Sequence, residues 1–160
     1  RNAPCWANNG FALACLGRYD VAEAAYRRSL GLNASDADCL GNYGVMLHDM
    51  GRVEEAEMVY QQAQAANAKH GTNCYNYGRL LKALGKHTDA LVVYEQGIAA
   101  SPVPMGYMNY GNLLNEHFGR FADAEQAYNK ALEMDPEHAP TYLNYGVMLA
   151  RRQMPEKALE

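Results

Sequence analysis

Much that would announce a catalyst, a nucleic-acid binder or a membrane protein is missing from this 160-residue chain. No stretch approaches the roughly 18 consecutive apolar residues of a membrane-spanning helix. No charged N-terminal region leads into a long apolar core, so no secretory leader is expected. Positive charge is not in excess: 14 Lys and Arg stand against 18 Asp and Glu, a net charge of −4, and no basic stripe is present. That speaks against nucleic acid as a partner. The four cysteines, Cys5, Cys15, Cys39 and Cys74, form no CxxC pair. They read as free, reduced thiols, which points to a cytoplasmic setting. The sequence has no GxxxxGK[ST], HExxH or GxSxG motif and no zinc-spaced Cys/His set. His70 and Cys74 are four residues apart but lack the further ligands a metal site needs. Neither a catalytic group, nor a metal, nor a cofactor is therefore expected within these residues.

What the chain does have is periodic. It holds 12 Tyr against 3 Phe and 1 Trp, and Asn is frequent. Asn-Tyr-Gly occurs at 42–44, 76–78, 109–111 and 144–146, with Asn8-Asn9-Gly10 in the place of a fifth copy. The glycines Gly10, Gly44, Gly78, Gly111 and Gly146 are spaced 34, 34, 33 and 35 residues apart. Ala22, Ala56, Ala90, Ala124 and Ala158 recur every 34 residues, as do Tyr26, Tyr60, Tyr94 and Tyr128. Each unit carries two apolar stripes of helical period. In the second unit these are Leu40, Tyr43, Gly44 and Leu47, then Ala56, Val59, Tyr60 and Ala63. Gly17, Gly51, Gly85 and Gly119 fall between the stripes and suit the left-handed position that ends a helix. Gln153 replaces that Gly in the last unit, and Pro155 suits the next helix start. Pro102 and Pro136 close second helices.

A 34-residue helix–turn–helix unit with these residues resembles the tetratricopeptide repeat (TPR) family. The first-helix signature is matched by Trp6, Asn9, Gly10 and Leu13, then by Leu40, Tyr43, Gly44 and Leu47, and by Cys74, Tyr77, Gly78 and Leu81. It returns as Tyr107, Tyr110, Gly111 and Leu114, and as Tyr142, Tyr145, Gly146 and Leu149. The resemblance implies an all-α fold, an α-α superhelix of tandem units forming one solenoid over 1–160. The repeats lie at about 3–36, 37–70, 71–103, 104–138 and 139–160, the last incomplete. The chain starts at Arg1 and stops within a helical pattern, so it is expected to be a segment of a longer protein with an exposed, frayed C-terminal end. Gly111 arrives one residue early, and Asn112–Phe118 is one residue longer than its counterparts. A tighter junction between repeats 3 and 4 and a lengthened turn near His117-Phe118 are therefore expected.

In the TPR family the first helices line the concave, ligand-binding side. On each stands an Asn two positions before the repeat Gly: Asn8, Asn42, Asn76, Asn109 and Asn144. Asn is a mediocre helix former, so five in helix interiors call for a reason. An amide both donates and accepts, and a row of them suits the main chain of an extended peptide. The row resembles the asparagine ladder in the TPR arm of protein O-GlcNAc transferases. A structural use, each amide bonding a neighbouring helix, stays open. Tyr75, Arg79, Lys82 and Asn112 flank the row and would add side-chain preference, Arg79 and Lys82 towards a carboxylate or phosphate. Met108, Leu143 and Val147 would add apolar contacts. The TPR clamp for heat-shock protein C-termini is not matched, because Ala7, Phe11, Thr72 and Asn76 stand where its Lys, Asn and Arg residues belong. The expected function is a non-catalytic protein–protein interaction scaffold that binds an extended segment of a partner protein. Two alternatives remain: the substrate-recruiting arm of a larger enzyme such as a protein glycosyltransferase, and an assembly module that self-associates through its uncapped last repeat.

Overall fold

Small residues at fixed places let pairs of helices approach, and large ones fill what remains. The computed structural model describes residues 3–153. Within them the elements are α1 (Ala3–Cys15), α2 (Tyr19–Leu32), α3 (Ala37–Asp49), α4 (Val53–Ala66), α5 (Gly71–Ala83), α6 (His87–Ala100), α7 (Pro104–Phe118), α8 (Phe121–Met134) and α9 (Ala139–Gln153), with no strand among the described residues. Ala158 and Pro155 lie outside them. Gly17, Gly51, Gly85 and Gly119 have φ of 72°, 75°, 73° and 62°, a left-handed backbone that closes the first helix of each of four pairs. Asp36 starts α3 by accepting a hydrogen bond from the Cys39 N–H at 3.0 Å. Pro104 opens α7, where its missing N–H costs nothing.

Within a pair, the Tyr of the second helix lies across the Gly of the first. A Cβ on Gly10, Gly44 or Gly78 would come within 2.9, 2.9 or 2.6 Å of the ring of Tyr26, Tyr60 or Tyr94. The helix-interior glycines are thereby accounted for: close approach offsets their propensity penalty of roughly 0.5–1 kcal/mol. Between pairs, the same Tyr stacks on the Asn-Tyr-Gly Tyr of the next repeat. Tyr26–Tyr43, Tyr60–Tyr77 and Tyr128–Tyr145 have ring centroids 5.5, 5.6 and 5.4 Å apart. Helices α1, α3, α5, α7 and α9 each pack against the next in that series, while the backbones of α2, α4, α6 and α8 stand further apart, bridged by the Gln64 amide of α4 donating to Gln96 of α6 at 2.9 Å. The odd helices therefore line the inner side of the solenoid.

The third junction departs from this pattern. The connection from α6 to α7 is residues 101–103, against 33–36, 67–70 and 135–138 elsewhere. The extra residue downstream lengthens α7 to 15 residues, where α1, α3 and α5 have 13. The turn after it widens as well: the Arg120 N–H reaches back to Leu114 O, one residue further than Arg18 to Leu13 or Lys86 to Leu81.

Candidate functional site

The five amides of the Asn row sit on successive inner helices. Asn8 and Asn42 are exposed, and Asn76, Asn109 and Asn144 are half-buried. Among the described residues none of the five side chains makes a hydrogen bond to another protein group. The bonds to neighbouring helices that a structural use requires are made by a different residue, Asn73. It is 3% exposed, and its Nδ2 donates to Ala37 O at 2.7 Å, tying α5 to the start of α3. A Cβ on Gly41 would fall 1.9 Å from the Asn73 Oδ1. Asn73 was invisible as a tie in the sequence because neither it nor Gly41 recurs from repeat to repeat. His70 supports the same junction. Its Nδ1 accepts from the Asn73 N–H at 3.4 Å, and its Nε2 lies 2.8 Å from Asp38 Oδ1.

Beneath the Asn row runs a second row, made of the tyrosines that recur every 34 residues. Tyr26, Tyr60, Tyr94 and Tyr128 are all but fully buried, at 0, 1, 1 and 0% exposure. Only Tyr128 has a hydrogen-bond partner among the described residues: its hydroxyl donates to Asn112 Oδ1 at 2.7 Å. Phe11, Val45 and Arg79 hold the equivalent place after the repeat Gly in the other three repeats. Two of these tyrosines line cavities that open beside the Asn row. Tyr26 meets Asn42 in a cavity of about 110 Å³, and Tyr94 meets Asn109 in one of about 380 Å³.

The flanking residues divide. Arg79 is exposed, lines the larger cavity with His48, Lys82 and Asn109, and forms no ion pair among the described residues. Burial pushes the Tyr60 and Tyr94 phenols well above their ordinary range, and the Arg79 charge draws both part of the way back. Lys82 is already engaged: its Nζ lies 2.6 Å from Glu116 Oε2. Asn112 is occupied by Tyr128, as above. Tyr75 is placed against expectation. It is 7% exposed, wedged between the end of α6 and the start of α7, with its hydroxyl donating to Ser101 O at 2.6 Å. A Cβ on Gly106 would lie 2.4 Å from its ring. The shortened connection brings α7 close, and the ring fills the gap rather than the groove. Met108, at 6% exposure, is likewise core, whereas Leu143 and Val147 are exposed at 69 and 42%.

With this geometry in hand, the chain can be set beside known proteins. The tetratricopeptide repeat pattern matches residues 12–70 and 75–139, and a second pattern of the same description matches 127–160. No curated protein sequence matches it. Among solved structures it resembles a tetratricopeptide repeat protein from Parabacteroides merdae at 20% identity and a TM-score of 0.81, over 95% of this chain and 60% of that one. It resembles PilF of Pseudomonas aeruginosa at 18% identity and a TM-score of 0.86, over 94% of this chain and 69% of that one. YrrB, described as a TPR protein with an unusual peptide-binding site, is similar at 25% identity and a TM-score of 0.75, over 96% of this chain and 79% of that one. The repeat period, the Gly–Tyr packing and the match over most of the length agree: the chain belongs to the tetratricopeptide repeat family.

Proposed function

We propose that the inner face of this solenoid binds an extended segment of a partner protein, with Asn8, Asn42, Asn76, Asn109 and Asn144 bonding its main chain. A tetratricopeptide repeat solenoid is a protein-interaction scaffold, and the peptide-binding site named for YrrB supports this finer reading by analogy. The observation that carries it is the row of five amides, one per inner helix, none bonded to another protein group among the described residues. Each offers two donors and an acceptor, the complement of a main-chain N–H and C=O. Arg79, without an ion pair among the described residues and on the lining of the larger cavity, adds a preference for an acidic side chain. The test compares wild type with the double variant Asn76→Ala, Asn109→Ala on an array of random 12-residue peptides. Binding should fall by about tenfold or more if each amide contributes roughly 1 kcal/mol. Thermal unfolding of the same variant should be unchanged or slightly raised. Undiminished binding, or a clear fall in midpoint, would sink the proposal.

A further inference from the structure

We infer that the cavity against α7 and α8 at the junction of repeats 3 and 4 is a docking site for a carboxylate side chain, Glu or Asp, of a partner protein. The cavity shares no residue with the Asn row, so the inference stands apart from the groove reading.

The other junctions show what this place holds when the chain fills it itself. Arg52, just ahead of α4, gives Nε and Nη2 to Glu55 of the helix that follows. Its outer edge closes on Glu23 of α2, Nη1 to Oε2 at 2.6 Å and Nη2 to Oε1 at 3.2 Å. Lys86, just ahead of α6, reaches Glu57 of α4 at 2.6 Å, and Gln96 of α6 accepts from the Gln64 amide at 2.9 Å. One period on, α6 has Leu91 in the place of Glu57 and Ile98 in the place of Gln64. The cationic side is kept: Arg120 stands where Lys86 and Arg52 do, and Lys130 stands where Gln96 does. Arg120 gives its Nε to Asp123 at 2.7 Å, and neither Nη has an acceptor among the described residues. Lys130 uses one of its three donors on Glu133, at 2.7 Å.

Both cations border a cavity of about 590 Å³, whose wall also holds Tyr107, Tyr110 and Gln126. Their side chains are 46 and 58% exposed, so an incoming group can reach them. Asp123 and Glu133, to which their charged ends are bonded, lie on the same wall. The free Arg120 fork matches a carboxylate bidentately, as the Arg52 fork matches Glu23. The rings of Tyr107 and Tyr110 cover the methylenes behind the charge. A cation entering here would have to break the Arg120–Asp123 or the Lys130–Glu133 pair. A phosphate dianion would be repelled twice as strongly as a carboxylate by Asp123, Glu133 and Glu95, the last held by the Tyr110 hydroxyl at 2.9 Å.

Fluorescent pools of 12-residue peptides, random except for a fixed central Glu, Gln, Lys or phosphoserine, test this by anisotropy. They are titrated onto the Arg79→Gln protein, which lacks the acidic preference of the groove. The Glu pool should bind about fivefold tighter than the Gln pool. Adding Arg120→Gln should remove that advantage with little change in the unfolding midpoint, because an exposed i,i+3 pair contributes little. Adding Leu91→Glu should remove it too, by giving Arg120 the chain's own carboxylate. Should Leu91→Glu fail to fold, Arg120→Gln alone decides. A Glu pool bound no better than the Gln pool, or an advantage that survives either substitution in folded protein, overturns the site. So does a Lys or phosphoserine pool bound best. A Glu advantage abolished instead by Asn76→Ala with Asn109→Ala would put the acid in the groove and overturn the site while leaving the groove reading standing. No pool bound at all would overturn both.

Discussion

Asn109 and Asn112 lie three positions apart on α7 and have opposite fates. Asn112 accepts the Tyr128 hydroxyl, while Asn109 faces the groove unbonded among the described residues. Asn112→Ala should therefore strand a buried hydroxyl and lower stability by about 1–3 kcal/mol in urea unfolding. Asn109→Ala should be neutral, or raise stability by up to about 0.7 kcal/mol through helix propensity. Equal effects would contradict the assignment. In the sequence both are polar residues on one inner helix, and what separates them is that the hydroxyl of Tyr128 reaches Asn112 and donates to it. His117 offers a second prediction at this scale. Its ring stacks on His87 at 3.6 Å, and Lys82 and Glu116 complete its charged surroundings. Burial, then the charges of His87 and Lys82, hold it below the ordinary value of 6.5, although Glu116 pulls the other way. On acidification the unfolded chain therefore takes up its proton first. The associated stability is complete above the unfolded value and is lost as pH falls towards the folded one. The thermal midpoint should drop between about pH 7.5 and about pH 5.5, and the drop should be smaller in His117→Asn. An identical drop would assign the pH dependence to other groups.

The helices, their pairing and the left-handed glycines between them were legible because each is written several times over. A feature used once carries no such signal. The Tyr75 wedge is the clearest case. It occupies a position where other repeats have Ala7, Gly41 or Met108, and nothing local distinguishes a groove Tyr from one folded into a junction. The glycines Gly97 and Gly106, both in contact with its ring, are the missing clue, and they become one only when the helices are placed. Gly106→Ala should cost about 1–3 kcal/mol by overpacking against that ring. In a Tyr75→Ala background the same change should become neutral or favourable, since Ala suits a helix better than Gly by about 1 kcal/mol. Calorimetry of the four proteins closes this double-mutant cycle, and purely additive effects would refute the contact.

Across the molecule, the repeats are joined by a recurring device that fails once. Glu23 takes the Tyr43 hydroxyl at 2.8 Å and Arg52 at 2.6 Å. Glu57 takes Lys86 at 2.6 Å, and Glu125 takes the Tyr145 hydroxyl at 2.5 Å. In repeat 3 the equivalent residue is Leu91. Arg120 keeps its pair with Asp123, the counterpart of Arg52 with Glu55, but among the described residues has no partner across the junction, and Tyr110 donates to Glu95. Tyr94 and Tyr110 are not stacked, and the buried side chains fall into two clusters that share only the half-buried Leu91 and Tyr110. Stability in a solenoid is a chain of neighbour couplings, so the weakest coupling sets where it opens. Hydrogen exchange should show α7–α9 opening together, ahead of α3–α6. Equal protection on both sides would mean that the Tyr75 wedge and the Lys82–Glu116 pair make good the loss.

That missing glutamate also sets how a long guest would be felt by its host. A segment held by Asn42 and Asn76 on one side and by Asn109 and Asn144 on the other lies across the loose joint like a splint. Its hold would be strongest on the bend with the same curvature as the guest. Occupancy would then be legible at a distance, as a stiffening of the last two repeats rather than as a change in their shape.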